Sequence, residues 1–316
     1  MNRCVQYSIV KICVLCAMSS CVAFAQDTPP PRMETYGLDA DGSILQWVRY
    51  TPAGVGPWPA VVLIHGGGFK YGGPRLCAQA GSDLSAAGFL CFAITYRLDI
   101  GLILGQPAIF NGRRTGVAGP TSDIHDQSDD VKTAIRAARA DPNCNGKVYG
   151  VGGSAGGCHV LFAAVTGTLG DDKPDAAVGL SGTYDGTDFP EGTTRISPFK
   201  FDWLTYVDVP VVADPPPSSI DSIINASPAW QSISDVPPIL LVASQNDPMP
   251  SNQIPDMVSA LQNAGVPTFT DWPVLSDYQK NVNPGNAHSF NNWLMPVASD
   301  SAELVRDEVI AFFDSI

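Results

Sequence analysis

The sequence predicts an α/β fold, with a mostly parallel central sheet, helices on both faces and irregular cap or lid insertions. Three observations carry that expectation. Apolar runs of strand length alternate with segments of helical period, the pattern of successive βαβ units. The runs are apolar throughout, as strands covered on both faces must be. The 316 residues are 45% hydrophobic, enough for one large core, and no Pro/Gly/Ser-rich linker divides them.

Taken in order, residues 33–50 read as an amphipathic strand pair turned at Asp41-Gly42. Ala60–Ile64 is a short buried strand, Leu76–Ala87 a helix stopped by Gly88, and Phe89–Tyr96 the next strand. Asp129–Ala140 is a helix with Val131, Ile135 and Ala138 on one face, ended before Asp141-Pro142. Lys147–Val151 is a strand and Ala155–Val165 a helix. Ala176–Leu180, Ile239–Ala243 and Thr268–Trp272 are later strands. Met257–Ala264 is a helix stopped by Gly265, and the last helix runs from about Ala302 to Phe313. Two stretches break the alternation, 98–125 and 182–230, both rich in Gly, Pro and polar residues. Long irregular insertions of this kind usually serve as lids or binding loops.

The first 25 residues read as a signal peptide. Arg3 and Lys11 precede or open an apolar run to Ala25, and Ala23-Phe24-Ala25 is a small-x-small cleavage site. The run is short for a membrane span, which needs about 20 apolar residues. Cleavage leaves residues 26–316 as a single domain, secreted or periplasmic, with lipidation at Cys21 as a minor alternative. Loss of Arg3 and Lys11 takes the net charge from −13 to −15. So acidic a chain repels phosphate backbones and anionic lipids, which argues against nucleic acid as a partner.

Four of the eight cysteines fall in the leader, leaving Cys77, Cys91, Cys144 and Cys158. Export permits a disulfide, in one of three pairings that sequence does not choose between. The alternative is plain buried thiols, which suits the apolar surroundings of Cys91 and Cys158. No mature spacing suits a structural zinc ion.

Gly152-Gly153-Ser154-Ala155-Gly156 matches Gly-x-Ser-x-Gly between an apolar strand and a helix. A turn so tight tolerates little bulk around the serine and pushes its hydroxyl out above the sheet. A phosphate loop is the rival, since Gly150-x-Gly152-x-x-Ala155 resembles a dinucleotide fingerprint with Asp171, Asp172 and Asp175 downstream. That reading leaves His65-Gly66-Gly67-Gly68, at the end of the first apolar strand, without a role. Consecutive glycines turn backbone N–H groups toward a bound oxygen. Acyl transfer needs such donors, and Gly67, Gly68 and Ala155 would supply an oxyanion hole.

A nucleophilic serine needs a base, and the chain has four histidines. His65 belongs to the glycine motif, where its ring braces the loop. His159 follows the serine by five residues on the same helix and points away or flanks the site. His125 lies in the first insertion, solvated. The partners of such a serine follow in the order acid, then histidine, which leaves His288. The acid should follow a late strand. Asp247, after Ile239–Ala243, fits; Asp271 within a strand and Asp277 in a loop are the alternatives.

With these residues the chain resembles the hormone-sensitive-lipase-like esterases and related bacterial carboxylesterases, including feruloyl- and acetylxylan-esterase-like members, from about Val61 to Phe290. His65-Gly66-Gly67-Gly68-Phe69, Asp129-Asp130-Val131-Lys132, Gly152–Gly157, Asn246–Pro250 and His288-Ser289-Phe290 carry the likeness. The resemblance implies the α/β-hydrolase fold, catalytic Ser154, Asp247 and His288, an oxyanion hole from Gly67, Gly68 and Ala155, and no cofactor. The chain departs from the pattern at Gly153, where many members carry Asp, at a longer and more apolar Leu98–Ser122, and at an insertion over Leu275–Asn286.

The expected substrate is a small-molecule or polysaccharide-linked ester, short-chain, carbohydrate or phenolic. Phe69, Leu102, Ile103, Leu104, Ile109 and Phe110 are candidates for an acyl pocket, or ordinary core. Trp203, Tyr206 and Trp230 would stack on an aromatic or sugar-linked substrate, or hold a cap together. Two other functions fit the same scaffold: a serine peptidase or amidase, and a non-catalytic binding protein. No propeller-sized extra domain supports the first, and the intact Ser–Asp–His set argues against the second.

Overall fold

The computed structural model describes residues 29–40, 42–98, 124–187, 220–244, 246–266, 287–297 and 301–316, with the backbone of three two-residue strands between 109 and 118. The leader at 1–25, the strand expected at Thr268–Trp272 and most of both insertions lie outside the described residues.

The first strands are β1 (Arg32–Leu38), β2 (Ile44–Tyr50), β3 (Trp58–Ile64) and β4 (Leu90–Ile94). The two-residue strands β5 (Arg97–Leu98), β6 (Ile109–Phe110), β7 (Arg113–Arg114) and β8 (Val117–Ala118) form small separate ladders. Strands β9 (Cys144–Gly153), β10 (Ala176–Leu180) and β11 (Ile239–Val242) complete the main sheet. Its order is β1-β2-β4-β3-β9-β10-β11. β1 and β2 are antiparallel to their neighbours, and the other five run parallel.

Alternate residues of β3 supply opposite faces, as a pleated strand requires. Ala60, Val62 and Ile64 pack with Val131, Ile135 and Ala138 of helix α2 (Ile124–Arg139) and with helix α3 (Ala155–Thr166). Val61 and Leu63 pack with Leu84 of helix α1 (Ala78–Ala86) and with Val309, Phe312 and Phe313 of the terminal helix Val305–Asp314. Both faces are therefore covered, which is why β3, β4, β9 and β10 lack an alternating polar side.

Several boundaries move. The helix expected at Leu76–Ala87 opens as a 3-10 turn, Pro74–Cys77, before α1 begins. α2 starts at Ile124, within the expected insertion, so His125 lies on a helix, exposed, with its ring 6.2 Å from that of Phe162. Its first turn holds Gln127 and Ser128, buried polar residues that apolar periodicity does not detect. The helix expected at Met257–Ala264 begins earlier, at Gln253. The terminal helix begins at Val305, where the Asp307 carboxylate accepts the Leu304 N–H at 3.0 Å. Cys77, Cys91, Cys144 and Cys158 are all free thiols, so the disulfide alternative fails and the buried-thiol reading holds for Cys91 and Cys158.

The sheet order places the candidate site. The chain leaves β3 toward β4 on one side and returns across it to β9 on the other. Loops after β3 and β9 thus diverge from the carboxyl ends of adjacent parallel strands, the usual place for a ligand crevice in such sheets.

Candidate active site

Ser154 follows β9 and precedes α3, with φ 56° and ψ −120°. That is a costly conformation for a residue with a side chain, and it persists only where the surroundings enforce it. The Ser154 N–H donates to Leu180 O at the end of β10 (2.8 Å), and Ser154 O accepts from the Gly157 and Cys158 N–H groups. Glycines make the turn possible. A Cβ on Gly152 would strike the Gly156 carbonyl, and one on Gly156 would strike the Ile64 carbonyl at the end of β3.

His288 Nε2 lies 2.9 Å from Ser154 Oγ, and His288 Nδ1 lies 2.8 Å from Asp247 Oδ1. The Asp247 side chain is 4% exposed, and Oδ1 also accepts the Met249 N–H at 2.9 Å. A carboxylate bonded to Nδ1 makes that nitrogen the donor and leaves Nε2 as the acceptor facing the serine. The segment bearing His288 is pinned on both sides. Ser244 Oγ donates to Ala287 O at 2.7 Å. Asn292 Nδ2 donates to Ser181 Oγ at 2.9 Å and to Ser289 O at 3.1 Å. Ser244 sits just beyond β11 and its carbonyl also accepts the Asp247 N–H, so one residue ties the loop bearing Asp247 to the segment bearing His288.

Gly67 and Gly68, with φ 134° and 57°, shape the turn after β3. Gly67, Gly68, Leu76, Ser154, His288 and Phe290 help line a cavity of about 310 Å³. Ala155 opens α3, where an N–H has no acceptor within its own helix. The other histidines sit apart from the hydroxyl, as expected. His65 is buried, donates from Nδ1 to Gly66 O at 2.8 Å, and stacks on Tyr96 with ring centres 4.4 Å apart. Burial lowers its pKa to about 4. His159 is buried with Nε2 2.9 Å from Gln127 Oε1, and burial, then proximity to His65, lowers its pKa to about 3. Both rings are therefore neutral parts of the scaffold.

Other expectations resolve differently. Asp271 and Asp277 lie outside the described residues, as do the side chains of Leu102, Ile103, Leu104, Ile109, Phe110, Trp203 and Tyr206. Phe69 is buried behind the glycine turn, edge-on to His159 at 5.4 Å, so it is core. Trp230 is 52% exposed on a separate groove with Asp256 and Asn263. Asp171, Asp172 and Asp175 pair with Arg136 and Arg139 of α2. They precede β10, at the opposite end of the sheet from Ser154, which removes the dinucleotide reading. Motif spacing and apolar periodicity do not reveal Gln127, Ser244 and Asn292, whose contributions are hydrogen bonds between segments far apart in the chain. Among the described residues no cluster of His, Cys, Asp and Glu is arranged to hold a metal ion.

The sheet, the flanking helices and the elbow together define the α/β-hydrolase fold. Solved structures similar to this chain include forms of esterase 2 from the planctomycete Thermogutta terrifontis. The form phosphonylated by sarin matches with a TM-score of 0.60 at 17% identity, covering 92% of this chain and 94% of that one. The propionate-bound form matches with a TM-score of 0.56 at 17% identity over 91% and 93%. The native form matches with a TM-score of 0.53 at 20% identity over 75% and 79%. No protein-family model and no curated protein matches the chain. Among the described residues no helix is long and apolar enough to cross a membrane.

Proposed function

We propose that the chain is a serine carboxylesterase, one domain spanning 26–316 and exported after removal of its first 25 residues. One observation carries the reading: the run of hydrogen-bond distances from Ser154 Oγ to His288 to Asp247, 2.9 and 2.8 Å, at the mouth of a glycine-lined cavity. His288 Nε2 takes the hydroxyl proton as Ser154 Oγ attacks an ester carbonyl. Asp247 holds the ring in the required tautomer and stabilises the imidazolium. The N–H groups of Gly67, Gly68 and Ala155 receive the oxyanion. His288 then protonates the departing alcohol, and water, deprotonated by the same ring, releases the acid.

Short acyl groups suit a cavity of about 310 Å³. The propionate- and butyrate-bound forms of the Thermogutta esterase support the same size class. Carbohydrate esters vary the leaving alcohol of that reaction, whereas a phenolic ester such as methyl ferulate varies its acyl group. Hydrolysis of p-nitrophenyl esters from acetate to octanoate, with methyl ferulate and a matched anilide beside them, tests the reading. Turnover is expected to be fastest on short acyl chains, slow on the anilide, and absent in a folded Ser154→Ala protein. Undiminished turnover in that variant contradicts it.

A further inference from the structure

The glycine turn is held from behind through its carbonyls. In a planar trans peptide the C=O of one residue and the N–H of the next point opposite ways, so fixing a carbonyl aims the following N–H. Tyr96 Oη donates to His65 O at 2.9 Å, and His65 Nδ1 donates to Gly66 O at 2.8 Å. The second contact aims the Gly67 N–H. Gly67 O accepts the N–H groups of Lys70 (3.2 Å) and Tyr71 (2.9 Å), which aims the Gly68 N–H away from them.

The Lys70 N–H is in turn set by its own peptide, whose oxygen is Phe69 O. Phe69 has φ 64°, an uncommon conformation for a bulky residue. Gln127 Nε2, reaching in from α2, donates to that oxygen at 3.0 Å. This fixes the Gln127 amide so that Oε1 faces His159 Nε2 at 2.9 Å, and the neutral ring must donate there. His159 stands on α3, the helix that begins beside Ser154. Its ring is edge-on to both Phe69 and Tyr96, at 5.4 and 5.1 Å.

We propose that Gln127 and His159 are positioning residues that link the nucleophile helix to the glycine turn and aim the Gly68 N–H at the developing oxyanion. This rests on the esterase reading above. The relay runs His159 N–H to Gln127 Oε1, Gln127 N–H to Phe69 O, and Lys70 N–H to Gly67 O. Neither side chain contacts substrate. Loss of the relay therefore weakens transition-state binding and leaves ester binding intact.

The test uses Gln127→Met, His159→Phe and the double variant, assayed with p-nitrophenyl acetate and an alkyl trifluoromethyl ketone, which forms an anionic adduct with a serine. Removing an oxyanion donor outright costs about 10²–10³ in kcat, so a mis-aimed one should cost roughly 10- to 100-fold. Gln127→Met is expected to lose that in kcat with KM within about twofold, and to weaken ketone inhibition by a similar factor. The double variant should be no worse than Gln127→Met alone, because both residues serve one relay. Wild-type kcat and ketone affinity in folded Gln127→Met overturn the proposal. If that variant does not fold, His159→Phe, which keeps the ring packing, decides on the same two readouts. A wild-type chain that cleaves no ester defeats the esterase reading and this proposal together, whereas an active wild type with an unaffected relay variant defeats this proposal alone.

Discussion

The Ser289 hydroxyl fills the space that a side chain at Gly153 would need. A Cβ on Gly153 would collide with Ser289 Oγ and come within 2.9 Å of the Phe290 ring. Ser289 itself adopts φ 58°, and its Oγ also lies 3.2 Å from where a Cβ on Gly66 would stand. The residue after His288 is thus wedged between the glycine turn and the elbow. Gly153→Ala should destabilise the fold by about 1–3 kcal/mol, the usual cost of overpacking, and displace His288 enough to lower kcat. Adding Ser289→Gly should recover part of both losses, since it removes the nearest atom and suits the positive φ. Urea unfolding and ester turnover of the single and double variants check this. Additive losses would contradict it.

Asp247→Asn keeps the side-chain shape and should leave the melting temperature nearly unchanged. The amide no longer enforces the Nδ1–H tautomer of His288. A drop of about 10⁴ in kcat is expected, by analogy with the effect of the same change in serine proteases. Steady-state kinetics beside a thermal melt measure both quantities, and a loss under tenfold would remove Asp247 from the mechanism.

The two buried histidines set an acid limit on stability. His65 and His159 have pKa values lowered to about 4 and about 3 by burial, against about 6.5 in an unfolded chain. Below 6.5 the unfolded state therefore binds more protons than the folded one, and stability falls with pH until the folded values are reached. At pH 5.5 each ring should cost about 1–1.5 kcal/mol relative to pH 7.5. Urea midpoints at those two pH values are expected to differ accordingly, and equal midpoints would refute the buried, neutral assignment.

Arg97 is buried against Asp130, with its guanidinium donating to both carboxylate oxygens at 3.0–3.2 Å. It also meets Asp126 Oδ1 at 3.0 Å and the Asp126 carbonyl at 2.8 Å. This ties the short strand β5, which follows β4, to the first turns of α2, the helix that carries Gln127. Arg97→Met strands the Asp130 carboxylate and should cost about 3–5 kcal/mol. Denaturant unfolding reads the loss directly, and a change below 1 kcal/mol would show that the pair contributes little.

The core elements of the fold were legible because their cause is local. Ala176–Leu180 reads as a strand and is one, bound for bound, since a five-residue apolar run closed by Ser181-Gly182 is too short for a helix and suits a strand covered on both faces. Ser154, with the strand before it and the helix after it, is legible for the same reason. His288 stands out because the chain has four histidines and the other three lie before or within the helix that follows Ser154. What sequence did not show depends on distant partners. Gln127 looks like a surface residue until Phe69 O and His159 are brought to it. Ser244 gives no sign of the Ala287 carbonyl 43 positions on. Phe69, beside the glycines, reads equally as acyl pocket or core, and only its positive φ, which turns it inward, decides for the core.

The central claim is that Ser154 is a nucleophile activated by His288. Intact-protein mass spectrometry after treatment with a fluorophosphonate, followed by peptide mapping, tests it most directly. The account predicts one adduct per chain, on the peptide containing Ser154, with labelling slowed at least 100-fold in His288→Ala and absent in Ser154→Ala. An adduct on another residue, or no adduct on the folded wild-type protein, would contradict it.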